Sequence, residues 1–274
     1  MDYCFFSYKY NISGFESALF STPHFVYICL AFLSVILLGY FLRKVDHKKF
    51  RIFMLVVAIV LLVLEIVKVS WESYYDITTG RGFNAMGILP IYTCSLLTYT
   101  SFVAVFAKGK TREAALAWIG TIGLICGCIG VIYTNALNWY PFWTFGAFHS
   151  LTYHYMLLLM GVLVLSTGCI KLEWRHVFLS WIPILLLSII ASPVNYCYGG
   201  DYMSTYSGDG VPLMHDLANT LAGYNLRPIY TFIMIAAYLL ISLIVVSVYK
   251  LIVFIYRKIK QNKQDQTIKI QPSQ

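Results

Sequence analysis

Long apolar blocks separated by short polar or basic runs make up most of this chain. A helix needs about 20 predominantly apolar residues to cross the hydrocarbon of a membrane. Seven stretches meet or approach that length: 23–42, 51–71, 88–107, 114–134, 149–170, 176–196 and 229–256. The first opens after Ser21-Thr22-Pro23, a helix start with proline in the first turn. The blocks are continuous and do not alternate residue by residue, which argues against a transmembrane β-barrel. The pattern predicts an all-α protein, a polytopic transmembrane helical bundle of seven helices.

Composition agrees. Of 274 residues, 59% are hydrophobic and 12% charged, with a mean hydropathy of +0.71. A soluble domain carries roughly 25% charged residues, and without them this chain could not cover an aqueous surface. Intrinsic disorder and a disulfide-stapled miniprotein are excluded by the same apolar bulk.

The net charge of +8 sits in short runs between blocks. Arg43, Lys44, Lys48, Lys49 and Arg51 follow the first block, and Lys108, Lys110 and Arg112 follow the third. Lys171 and Arg175 follow the fifth, and Arg257, Lys258, Lys260 and Lys263 follow the last. The alternate connections hold the acidic N-terminal segment, Asp76 with Arg81, the uncharged 135–148 stretch, and Asp201, Asp209 and Asp216. Positive-inside then puts the N-terminus outside and the C-terminus in the cytoplasm of a multi-pass cell-membrane protein. It also makes nucleic acid an unsuitable partner, because the charge is spread over loops and forms no single basic face.

The N-terminal segment, with one lysine, does not read as a cleavable signal peptide. One transmembrane domain, 1–256, is followed by a short basic polar tail, 257–274, expected to fray. The 197–228 connection, with Gly199, Gly200, Gly208, Gly210 and Pro212, is expected to form a structured outer cap, with Tyr198, Tyr202 and Tyr206 at the interface.

Within the fourth block Gly120, Gly123, Gly127 and Gly130 fall on one helix face, a spacing that lets another helix approach closely. Cys126 and Cys128 do not share a face, and the seven cysteines contain no CxxC pair. They read as small buried hydrophobes, and neither metal nor cofactor is expected. Glu65 and Lys68 stand one turn apart near the end of the second block. Either they line a wet cavity or they snorkel to the outer interface.

Depth and topology together bring more polar residues to that level. Cys94 is expected about six residues inside the third helix, roughly 9 Å below its outer end. The fifth helix carries His149 at its mouth and His154 further in. Asn195 and Tyr196 end the sixth, while Asn225 and Arg227 precede the seventh. An outward-facing polar cavity is therefore expected, lined by Glu65, Lys68, Tyr92, Tyr153, Asn195, Tyr196 and Arg227. One Cys and two His are a weak metal signal, three ligands at unknown distances, which leaves a nucleophile with its base and a buried thiol beside hydrogen-bonded histidines as the open readings.

Leu89-Pro90-Ile91-Tyr92-Thr93-Cys94 resembles the LP-x-x-x-C segment that opens a central helix in the YwaF/transmembrane-protein-164 family. Phe148-His149-Ser150-Leu151-Thr152-Tyr153-His154 resembles its helix-opening histidine segment. Asn195-Tyr196 with Gly200-Asp201-Tyr202-Met203 is similar to its outer-loop signature. Tyr92 stands where many bacterial members carry histidine, and Asp201 replaces the usual asparagine. The likeness spans roughly residues 50–250.

The resemblance implies a helical membrane protein distantly similar to the androgen-induced fatty-acid-ester hydrolases, in a family whose eukaryotic branch is regarded as a cysteine-dependent acyltransferase moving fatty acyl groups onto lysophospholipids. Carried over, Cys94 is the nucleophile, His154 its first-choice base and His149 the second. The expected function is a membrane lipid acyltransferase or acyl-ester hydrolase with phospholipid or lysophospholipid partners. The rival is a small-molecule transporter or permease component binding its solute in the same cavity.

Overall fold

The computed structural model describes residues 4–12, 14, 16–80, 88–208 and 212–270. Arg81, Asp209 and Gly210 lie outside the described residues, so the parts assigned to them above are not followed further. Among the described residues the architecture is helical throughout, with no strand.

Helix α1 is Thr22–Leu42 and α2 is His47–Thr78. The Asp46 carboxylate caps α2 by accepting the Lys48 N–H at 3.1 Å. The 32 residues of α2 make it about 48 Å long. It is therefore longer than a hydrocarbon core of about 30 Å.

Helix α3 is Leu96–Phe106, only 11 residues. This departs from the continuous helix expected over 88–107. Residues 89–95 form turns, and their polar groups are satisfied by protein: Leu89 N–H donates to the Tyr202 hydroxyl at 2.9 Å, and Tyr99 donates to the Pro90 carbonyl at 2.8 Å. Non-helical backbone at membrane depth persists only with such partners. Pro90 adds the local reason, because proline disfavours helix at the residue before it. Cys94 therefore sits ahead of α3, not six residues inside it.

Helix α4 (Gly109–Trp118) passes through a π turn, Ile119–Gly123, into α5 (Leu124–Ile132). Helix α6 is Phe145–Ser166 and α7 is Arg175–Tyr198. The glycine stripe packs as its spacing predicts. A Cβ at Gly127 would lie 2.3 Å from the Leu158 backbone nitrogen, and one at Gly130 would overlap the His154 ring. The α5–α6 seam thus needs glycine, because any side chain would drive the backbones apart. Around it, α6 also contacts α1 and α2, α4 packs on α3 and α7, and α9 packs on α7.

The 197–228 connection contains a turn at Tyr202–Ser204 and helix α8, Pro212–Gly223, so its described residues are structured as expected. Tyr202 corrects the interfacial reading. It is 1% exposed and lies against Tyr92 with ring centroids 4.7 Å apart. Its body fills the core while its hydroxyl serves Leu89, which a surface position could not do. Helix α9, Arg227–Ile270, runs past the point where fraying was expected. The segment has neither Gly nor Pro before Pro272, and Lys and Gln are good helix formers.

Among the described residues, six helices are long and apolar enough to cross a membrane: α1, α2, the α4–α5 rod, α6, α7 and α9. The N-terminal segment folds over the acidic end of the bundle. Trp71 donates to the Phe6 carbonyl at 3.1 Å, and Tyr8 is buried against Trp71 and Tyr75.

Candidate functional site

The site begins with the spacing 65, 68, 72, 76 along α2. Steps of three, four and four residues put Glu65, Lys68, Glu72 and Asp76 on one stripe. All three carboxylates are buried. Lys68 Nζ stands 3.2 Å from Glu72 and 3.9 Å from Glu65, so its charge serves Glu72 first. Glu65 finds a second partner across the bundle: His149 Nε2 on α6, 3.4 Å away. Higher up, the Tyr8 hydroxyl donates to Asp76 at 3.3 Å. Burial, then the nearby Glu72 and Asp76 carboxylates, push the Tyr8 phenol up from its ordinary value, so it stays a neutral donor.

Helix α6 places its two histidines differently. His149 and Tyr153, four residues apart, share a face with rings 4.7 Å apart, and Tyr153 donates to the Leu61 carbonyl at 2.7 Å. His154 is five residues beyond His149, a rotation of about 140°. Its Nδ1 is 2.8 Å from the Ser150 carbonyl, and its ring lies on Gly130.

Cys94 is half-buried in the turn before α3 and packs against the main core. Thr93 beside it is hydrogen-bonded to Tyr238 at 2.8 Å. Lys68 lies 5.7 Å above the Tyr92 ring. Among the described residues no hydrogen bond joins Cys94 to His149 or His154.

A cavity of about 260 Å³ opens between α2 and α3, with Glu65, Ser95, Thr98 and Tyr153 among its walls and Leu62, Ile66 and Val69 facing them. A wider groove of about 700 Å³ lies between α1 and α6, lined by Tyr27, Leu30, Ser34, Leu37, Trp143 and Tyr155. No charged side chain is among its lining residues.

The structure thus gathers Glu65, Lys68, Tyr92, Tyr153, His149 and Cys94 about one level. Asn195, Tyr196 and Arg227 form a different group at the end of α7 and the start of α9. Asn195 bonds the Tyr202 N–H and carbonyl and the Thr205 hydroxyl, clipping the Tyr202–Ser204 turn. Tyr196 meets Thr231 at 3.1 Å, and Arg227 stacks on Tyr206 at 4.2 Å.

Glu72, Ser95 and Thr98 were not singled out from sequence. Glu72 had a signal, its i, i+4 spacing from Lys68. Ser95 and Thr98 had none, because their exposure to the cavity depends on where α3 begins. Among the described residues, no three His, Cys, Asp or Glu side chains converge as metal ligands.

The TMEM164 family model matches residues 19–247. The chain belongs to the TMEM164 family. The matched region contains both the Cys94 turn and the α6 histidines. No curated protein and no solved structure matched the chain.

Proposed function

We propose that this TMEM164-family membrane protein transfers or hydrolyses fatty acyl esters of membrane lipids, with Cys94 as nucleophile and the His149–Glu65 pair as its base. The observation that carries the reading is the buried imidazole–carboxylate contact of 3.4 Å, made beside the cavity wall that includes Ser95, the neighbour of Cys94. A nucleophile, a base and a group orienting the base are the parts acyl transfer requires.

In the reaction, His149 takes the Cys94 thiol proton while the sulfur adds to the ester carbonyl. Collapse of the tetrahedral adduct breaks the ester C–O bond, and the leaving alkoxide takes the proton back from His149. The resulting thioester then meets a lysolipid hydroxyl or water, again with His149 as base, and the thiol is restored. Glu65 holds the ring and offsets the imidazolium charge. Lys68 favours Glu72 by distance, which leaves that role to Glu65. The apolar walls suit an acyl chain entering sideways from lipid. His149 is preferred to His154 because it alone of the two has a carboxylate partner.

The reading includes seven membrane passes, the third made by the 89–95 turns plus α3. The N-terminus lies outside and the C-terminus inside the cell membrane, as the alternation of basic connections favours. The test is acyl transfer from a labelled phospholipid to a lysophospholipid or water by the full chain in nanodiscs. Cys94→Ala and His149→Gln should each remove nearly all activity, with the double variant little worse. Full activity in Cys94→Ala would end the reading, and loss in His154→Gln with none in His149→Gln would transfer the base to His154.

A further inference from the structure

At the basic end of the bundle the chain turns sharply after α6, with Gly168 at φ +70°. The turn brings Cys169 beside the start of α2. Cys169 Sγ lies 3.2 Å from His47 Nδ1, and the Thr167 hydroxyl donates to the same sulfur at 3.3 Å. This thiol therefore has a base within hydrogen-bond reach, and beside it the Thr167 hydroxyl, whose one proton is shared with the Leu163 carbonyl at 2.6 Å. His47 is exposed and Cys169 half-buried, so the pair opens to the surface. Burial raises the thiol above its ordinary value, opposed by Thr167 and by the nearby Arg112. The resting sulfur keeps its proton, and reaction depends on the base.

Two further observations define what would react there. Helix α6 ends at Ser166, so Cys169 follows the apolar span by three residues, at the depth of lipid headgroups. An acyl chain attached to it would reach hydrocarbon at once. Arg43, Lys44, Lys48 and Lys49 flank His47 on the α1–α2 connection, and Lys171 follows Cys169; all five are exposed. The collar fits a co-substrate bearing phosphate groups.

We propose that Cys169 is a covalent acylation site that takes a long-chain acyl group from a phosphate-bearing acyl thioester, with His47 as general base. His47 accepts the thiol proton as sulfur attacks the carbonyl. The new S–C bond forms, the bond from the carbonyl to the carrier sulfur breaks, and the carrier leaves as a thiol with the proton from His47. One thioester replaces another, so no oxidant is needed. In the proposed topology this end is cytoplasmic. The site shares no residue with the Cys94 cavity and stands or falls separately from it.

The experiment incubates the full chain in phosphatidylcholine nanodiscs with palmitoyl-coenzyme A, followed by intact mass measurement, neutral hydroxylamine release and peptide mapping. One palmitoyl adduct mapping to Cys169 is expected, absent from Cys169→Ser. Its rate should fall at least tenfold in His47→Gln, and to a smaller extent in Thr167→Val. The exposed thiols Cys29 and Cys197 serve as internal references and should acquire little. Four results would overturn the proposal: an adduct mapping to Cys94 and not to Cys169, equal acylation of Cys29 and Cys197, an unchanged rate in both His47→Gln and Thr167→Val, or alkylation of Cys169 by iodoacetamide without acylation by palmitoyl-coenzyme A.

Discussion

Two buried histidines, one at each end of the bundle, both meet a glutamate, and they differ in what they leave unused. His176, at the start of α7, is 1% exposed. Its Nδ1 accepts the Glu173 N–H at 2.7 Å, which leaves Nε2 to donate to Glu113 at 2.9 Å. Both nitrogens are committed, and Arg175 closes the group by pairing with Glu113 at 2.7 Å. His149 meets Glu65 at the longer distance of 3.4 Å, and apart from that contact its Nε2 has no hydrogen-bond partner among the described residues. A fully bonded ring fixes α4 against α7 and has no capacity left for chemistry. A ring held beside a carboxylate, with bonding capacity in reserve, can still move a proton. Burial is similar in the two cases; the difference lies in hydrogen-bond saturation.

The largest effect should come from the seam that holds α6, and with it His149. Gly127→Leu would force a side chain into the Leu158 backbone, so the folded, monodisperse fraction in size-exclusion chromatography should collapse. If that fraction were unchanged, close α5–α6 packing would not be what positions His149.

The histidines themselves should respond in opposite ways. His149→Gln should lower acyl transfer by at least about 100-fold, the usual scale for losing a general base, with little change in thermal midpoint. His176→Ala should do the reverse, costing about 1–3 kcal/mol through the lost bond to Glu113 and the Glu173 N–H left without its acceptor while activity per folded molecule stays near normal. Equal effects on both readouts would erase the contrast. Tyr153→Phe removes the bond to the Leu61 carbonyl and should cost about 1 kcal/mol, measurable by thermal melting. The smallest change is expected for Glu113→Gln. An acceptor for His176 remains, and the lost Arg175 pair is largely exposed on the arginine side, worth under about 1 kcal/mol.

Much of this arrangement was legible in the sequence. The apolar blocks gave the helices, and the glycine period gave the α5–α6 seam, because both depend on local pattern alone. The third block was misjudged at its start because the backbone of 89–95 is supported by Tyr202 and Tyr99, and tertiary hydrogen bonds leave no trace in hydropathy. Tyr202 was assigned to the interface for the same reason. The level of Glu65, Lys68 and His149 followed from depth and topology. Which histidine met Glu65 did not, since helix rotation was free until α2 and α6 were packed. Asn195 looked like a cavity residue because a polar side chain near a helix end has the same signature whether it faces a ligand or clips a loop.

The central claim is that Cys94 carries the acyl group during turnover. It is tested most directly by mixing the full chain with a phospholipid bearing an isotopically heavy fatty acid, quenching in acid within one turnover, and mapping the modified peptide. The account predicts a heavy acyl thioester on Cys94, sensitive to hydroxylamine and absent from His149→Gln. Product formation with an unmodified Cys94, or a heavy acyl group on any other side chain, would contradict it.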